Sequence, residues 1–123
     1  MLPILCQMLT KSSIYIGFTH SASRHTYNLV SVAWVIYISM GHVVSSGGVC
    51  LWPSSNNVTE YSVMIELLRD AISHGIRSLE VHLELQLVVS QLNGVYRIRD
   101  PTLLRRFLRV RLLERKFETV TYI

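Results

Sequence analysis

The hydrophobic pattern of this chain changes period at Pro53-Ser54-Ser55-Asn56-Asn57, and that change restricts the fold more than any other feature. Before it, β-branched and aromatic residues recur as in strands. Ser13 to Phe18 reads as a short strand, Val30 to Ser39 as a second and Val43 to Leu51 as a third, with polar Thr19 to Asn28 and Met40-Gly41-His42 as connections. Ser45, Ser46, Gly47 and Gly48 interrupt the third strand where a bulge fits. After the change, Tyr61, Met64, Ile65, Leu68, Ala71 and Ile72 recur at helical spacing, and Gly75 stands where a helix C-terminal glycine belongs. Three antiparallel strands followed by a helix are expected.

Beyond Gly75, Ser78 to Leu83 predicts a strand and Leu85 to Leu92 a short helix stopped by Asn93-Gly94. Asp100-Pro101 pairs a capping side chain with proline at the first helical position, which predicts a helix whose Leu103, Leu104, Phe107, Leu108 and Arg111 share one side. Glu118 to Ile123 predicts a last strand. A chain of 123 residues, half of them hydrophobic, can bury one core and is too short for two ordinary domains. Tyr61, Ile65, Leu68, Ile72, Leu87, Val88, Leu104 and Leu108 are the expected helix-side core.

The net charge of +4 is unevenly placed: Arg97 to Lys116 holds eight of the twelve basic residues. That cluster fits either a phosphate backbone or a solvated helix face. Two cysteines, Cys6 and Cys50, make neither a disulfide framework nor a zinc spacing, and the expectation is a reduced, intracellular setting. The apolar start, Met1 to Leu9, has no basic n-region, and Leu29 to Met40 falls short of the ~20 residues that span a bilayer, so no membrane role is expected. None of the five histidines is paired at i, i+4 or lies near a cysteine pair; His82 and Glu84 alternate and could form a weak adventitious metal site.

Two segments carry a family resemblance. Ser55-Asn56-Asn57-Val58-Thr59-Glu60-Tyr61 is similar to T-N-N-x-A-E-Y, and Glu84-Leu85-Gln86-Leu87-Val88-Val89-Ser90-Gln91-Leu92-Asn93-Gly94-Val95-Tyr96 to S-D-S-Q-L-V-V-x-Q-I-N-G-x-Y. Both patterns belong to type 1 ribonuclease H in its retroelement form, which the chain resembles over nearly its whole length. The resemblance implies an α/β fold, a mixed five-stranded sheet with helices packed on it. Residues 1–12 would be an N-terminal extension and 13–123 a ribonuclease H-like domain lacking the final catalytic helix.

The resemblance also implies RNA–DNA hybrid or other nucleic acid as partner and a pair of magnesium ions held by four acids. Glu60 matches the second acid in its context, and Glu84 stands at the third, where the family has aspartate. These two are the candidate catalytic and metal-binding residues. Aligned with x-Y-x-D-G-S, Ile14-Tyr15-Ile16-Gly17-Phe18-Thr19 puts Gly17 at the first acid, and residues 1–59 contain no Asp or Glu at all. The family's fourth acid would fall beyond Ile123. Magnesium binding is therefore expected to be weak or lost, and the enzyme impaired or inactive. Asn56, Asn57 and Gln86 match positions near the RNA strand, although the two asparagines also suit helix capping; Arg105 and Arg106 are the candidate phosphate contacts. Asp70 is the candidate substitute ligand if activity persists. The alternative role is a scaffold that keeps the fold and binds a protein partner.

Overall fold

A computed structural model describes residues 14–24 and 29–123. The chain order is β1 (Tyr15–Arg24), β2 (Leu29–Ile38), β3 (Val43–Leu51), α1 (Asn56–Ser73), β4 (Ser78–His82), α2 (Gln86–Leu92), α3 (Pro101–Glu114) and β5 (Thr119–Tyr122). The five strands form one mixed sheet in the order β3-β2-β1-β4-β5. β1 pairs antiparallel with β2 and parallel with β4, and β4 is parallel to β5. The expected α/β architecture is present. Residues 1–13, which include the expected N-terminal extension and Cys6, and residues 25–28 lie outside the described residues.

β1 runs on to Arg24, well past the expected end at Phe18. The polar residues after Phe18 stay extended because ten consecutive positions pair with β2, Thr19 opposite Trp34 and Ser21 opposite Val32. The β2–β3 register shifts where Ile36 faces Ser45 and Tyr37 faces Val43, so the irregularity lies at Val44 and not at the glycines. Gly47 is needed for a different reason: a Cβ there would lie 2.2 Å from Trp34 Cζ2. The indole occupies that space, and its Nε1 donates to Asp70 Oδ2 at 2.8 Å, joined there by the Ser45 hydroxyl at 2.7 Å.

α1 starts at Asn56 because the Ser55 side chain accepts from the Val58 N–H at 3.2 Å. It stops where Gly75 adopts φ +70°, a conformation costly for a residue with a Cβ. Sheet and α3 cover it from two sides, so Tyr61, Val63, Met64, Leu67, Leu68 and Ala71 are all fully buried. Strand residues Ile36, Leu79, Val81 and Tyr122 meet that helix, while alternation sends Phe18 and His82 to the other face of the sheet. There the two rings stack at 4.7 Å, and Tyr37 packs edge-on against Phe18. No helix among the described residues is long and apolar enough to cross a membrane.

Of the expected core, Tyr61, Ile65, Leu68 and Val88 are buried and Ile72 is partly so, but Leu87, Leu104 and Leu108 are exposed. α3 is rotated from the expected orientation: it turns Leu103, Phe107 and Val110 inward and leaves Leu104, Leu108 and Leu112 outside. Leucines occur all round this helix, so apolar spacing does not choose a side. The polar anchors do. Arg111 pairs with Glu114, donates to the Leu92 carbonyl and lies 4.6 Å over the Phe107 ring. Tyr122 donates its hydroxyl to Glu114, and burial together with that carboxylate pushes the phenol far above its ordinary range. These bonds hold the C-terminal half of α3 against β5 and α2. In α2 a rotation of ~100° per residue puts Val88 and Val89 inside and Leu87 out.

Candidate functional site

Glu60 belongs to the second turn of α1, beside the middle of β1 and the segment that follows β4, and is only 2% exposed. Its Oε1 accepts from the Thr19 hydroxyl at 2.9 Å and from the Glu84 backbone N–H at 2.8 Å. The carboxylate is therefore neither open to solvent nor set in apolar surroundings; polar groups of β1 and of the β4–α2 connection close over it. Burial pushes its carboxyl above the usual range. The Glu84 N–H, the Thr19 hydroxyl and the Leu85 N–H pull it back, and the Glu84 charge pushes in the same direction as burial.

Glu84 follows β4, and its Oε1 accepts from the Ser21 N–H at 3.0 Å, with His20 Nδ1 also at 3.0 Å. It does not cap α2, whose N-cap is Leu85 without a side-chain bond. Nor does it pair with His82, which instead lies 3.5 Å from Glu80. The structure brings Glu60 and Glu84 together as expected, and adds Thr19, His20 and Ser21, which sequence reasoning missed.

The β1 position beside Glu60 is Thr19, not Gly17. Gly17 shares its face with Thr19, but a Cβ built there would lie 2.9 Å from Leu67 Cδ2, inside the core. Counting in twos along β1 would have shown that Thr19 also points at the helix layer. Asp70 is no substitute ligand: it lies near the far end of α1, bound to Trp34 and Ser45 and 3.2 Å from His74 Nδ1. Ser55 takes the capping role, so Asn56 and Asn57 are not needed for it. Asn57 precedes Glu60 by about one helical turn, and Gln86 opens α2 two residues after Glu84. Arg105 and Arg106 are not at the carboxylates: they line a groove between α1 and α3 with Arg109.

A magnesium pair takes hard oxygen ligands in near-octahedral shells, and here two carboxylates and one hydroxyl come together. Glu60 Oε1 is already occupied by two protein donors, and Glu84 Oε1 by a third. Among the described residues no group of three or more His, Cys, Asp or Glu side chains is placed to hold a metal ion.

Sheet order and connections define a ribonuclease H-like domain, with Glu60 of α1 and Glu84 after β4 brought together beside β1. The chain belongs to the type 1 ribonuclease H-like family: the family model described as reverse transcriptase-like matches residues 19–123. Ribonuclease HI of Halobacterium salinarum is 33% identical over 109 residues, 87% of this chain and 55% of that protein. A bifunctional protein of Mycobacterium tuberculosis is 32% identical over 69 residues, 56% of this chain. The chain thus spans about half the length of the first relative and 19% of the second. The crystal structure of the halobacterial RNase H1 superposes with a TM-score of 0.81 at 30% identity, covering 89% of this chain and 83% of that one. LC11-RNase H1, solved in complex with an RNA/DNA hybrid, superposes with a TM-score of 0.79 at 24% identity over 89% of this chain and 83% of that one, a likeness of fold.

Proposed function

We propose that this chain is a retroelement-derived ribonuclease H-like domain that binds RNA–DNA hybrid through the surface around Asn56, Asn57, Gln86 and Glu84, with hydrolysis impaired or lost. Its family and the hybrid held by a structural relative support the nucleic-acid part. One observation carries the rest: a threonine hydroxyl, donating to Glu60 at 2.9 Å, stands at the β1 position beside that carboxylate. A hydroxyl that donates to Glu60 supplies no charge to a metal pair and occupies an oxygen the metal would need. Any magnesium that Glu60 and Glu84 retain is weakly held on this reading.

The test is an end-labelled RNA–DNA hybrid with the full chain, read for binding and for cleavage in magnesium and in manganese, with Glu60→Gln as control. Hybrid binding with cleavage no higher than the control is expected. Metal-dependent cleavage abolished by Glu60→Gln would overturn the loss of hydrolysis. A folded chain that binds no hybrid would overturn the nucleic-acid reading and favour the scaffold role, with the open sheet face around Phe18 as the surface to examine.

A further inference from the structure

The four arginines of α3 are poorly served by their own helix. Its one acid, Glu114, is held by Arg111, and Asp100 is engaged as the N-cap. Arg105 and Arg109 are at i, i+4, Arg106 and Arg109 at i, i+3, and like charges at these spacings destabilise a helix by about 0.2–0.5 kcal/mol per pair. None of the three joins an ion pair among the described residues. All three instead line one open groove of about 390 Å³ against α1, with Ser62, Ile65 and Glu66 as its other wall.

Each wall residue has a definable part. Ser62 Oγ donates to the Val58 carbonyl at 2.8 Å and accepts from Arg106 Nε at 3.4 Å, which holds that guanidinium in place. Ile65, nearly buried, gives an apolar floor for the arginine stems. Glu66 is the single carboxylate of the groove, and it lies 3.6 Å from Arg69 on its own helix. The groove therefore carries three guanidiniums against one already paired acid. An anion of tetrahedral oxygens, able to accept from several forked donors at once, matches this set.

We infer that the Arg105–Arg106–Arg109 groove binds a backbone phosphate of nucleic acid, as a contact separate from the carboxylate site. Two residues advance α1 by ~200°, so Ser62 faces away from Glu60, and Ser62 and Glu66 lie about 3 and 9 Å further along the axis. A strand with a phosphate every ~3.4 Å of duplex axis covers that axial distance in about three steps. The inference rests on the nucleic-acid reading above and adds a phosphate subsite to it.

The test compares hybrid binding across a salt series for the wild-type chain, Arg105→Gln/Arg109→Gln, Glu66→Gln and Asn57→Ala/Gln86→Ala. Arg105 and Arg109 are exposed, so their replacement spares the fold, and Arg106 is left on Ser62. The double arginine variant should bind about tenfold more weakly at ~0.1 M salt, with the slope of log affinity against log salt reduced by about 1. Glu66→Gln should tighten binding, because it removes the one repelling carboxylate. Asn57→Ala/Gln86→Ala should lose affinity with an unchanged slope, since neutral groups release no counterions. Wild-type binding with the arginine variant equal to it in affinity and slope would overturn the groove and leave the hybrid reading standing. A wild-type chain that does not bind hybrid would overturn both.

Discussion

An aspartate placed at residue 17 and one placed at residue 19 should fail in different ways, because the two neighbouring positions of one strand face different surroundings. At Gly17 a Cβ would lie 2.9 Å from Leu67 Cδ2 and 3.0 Å from Cδ1, and Leu67 is fully buried. Overpacking of this kind costs about 1–3 kcal/mol, and an unpaired buried carboxylate adds about 3–5 kcal/mol. Gly17→Asp should therefore lose about 4 kcal/mol or more, from a total of roughly 5–15 kcal/mol for a domain. At about 3–6 °C per kcal/mol for a chain of this size, its Tm should fall by at least about 12 °C.

Thr19→Asp keeps its side chain among polar groups but adds a negative charge beside Glu60, where the hydroxyl now donates at 2.9 Å. Two unit charges ~4 Å apart repel by about 4 kcal/mol at an effective dielectric near 20. The pair would share a proton at acid pH, so the deficit against wild type should be small there and grow toward neutrality. Thermal unfolding followed by circular dichroism at pH 5 and pH 7.5, with and without millimolar magnesium, separates the two. Magnesium should raise the Tm of Thr19→Asp at pH 7.5 but not that of Gly17→Asp, which should keep part of its deficit even at pH 5 because its clash with Leu67 does not titrate. Rescue of Gly17→Asp by magnesium, or a Thr19→Asp deficit that ignores pH, would refute the assignment of residue 19 as the β1 position of the site.

Glu60→Gln should stabilise the chain at neutral pH. Burial raises the Glu60 carboxyl in the fold, so its contribution to stability is fully present below the unfolded value and is lost as pH rises through the folded one; the glutamine variant should remove this fall, and an equal fall in both proteins would count against it. Gly47→Ala should cost about 1–3 kcal/mol, because its Cβ would lie 2.2 Å from Trp34 Cζ2 and the indole could no longer keep both its place and its bond to Asp70. Denaturant unfolding measures the loss, and a variant as stable as wild type would show that the β2–β3 pair adjusts freely.

What could be read from the sequence followed from period and punctuation. α1 was legible because its apolar spacing and bounding Ser55 and Gly75 agree, and α3 began at Asp100-Pro101 as expected. The rotation of α3 was not legible: it depends on Arg111, Glu114, Tyr122 and the Leu92 carbonyl, groups from three elements that no local pattern links. Glu60 and Glu84 could be named from the resemblance alone. Thr19 could not, because a motif aligned by residue type placed the break at Gly17, whereas the ladder with β2 continues through residue 19 and beyond.

On the proposed reading, in which a hydroxyl stands where the family has an acid, the fold must settle the charges of Glu60 and Glu84 in another way. A cluster of carboxylates at strand ends is held together by the cations it binds, and without them the charges repel in a poorly solvated place. Thr19 reverses this locally: it withholds one negative charge and offers a donor to Glu60. Main-chain N–H groups do the rest, Glu84 for Glu60 and Ser21 for Glu84, with His20 beside the second carboxylate. Among the described residues no buried side-chain nitrogen or oxygen lacks a partner. Both carboxylates thus have protein donors, and on the proposed reading those donors compete with magnesium for Glu60. A second exchange, Thr19→Val, separates these two effects. It removes the donor without adding charge, should raise the Glu60 carboxyl further, and should cost about 1–3 kcal/mol at neutral pH but less below the carboxylate range, where a protonated Glu60 no longer needs that bond.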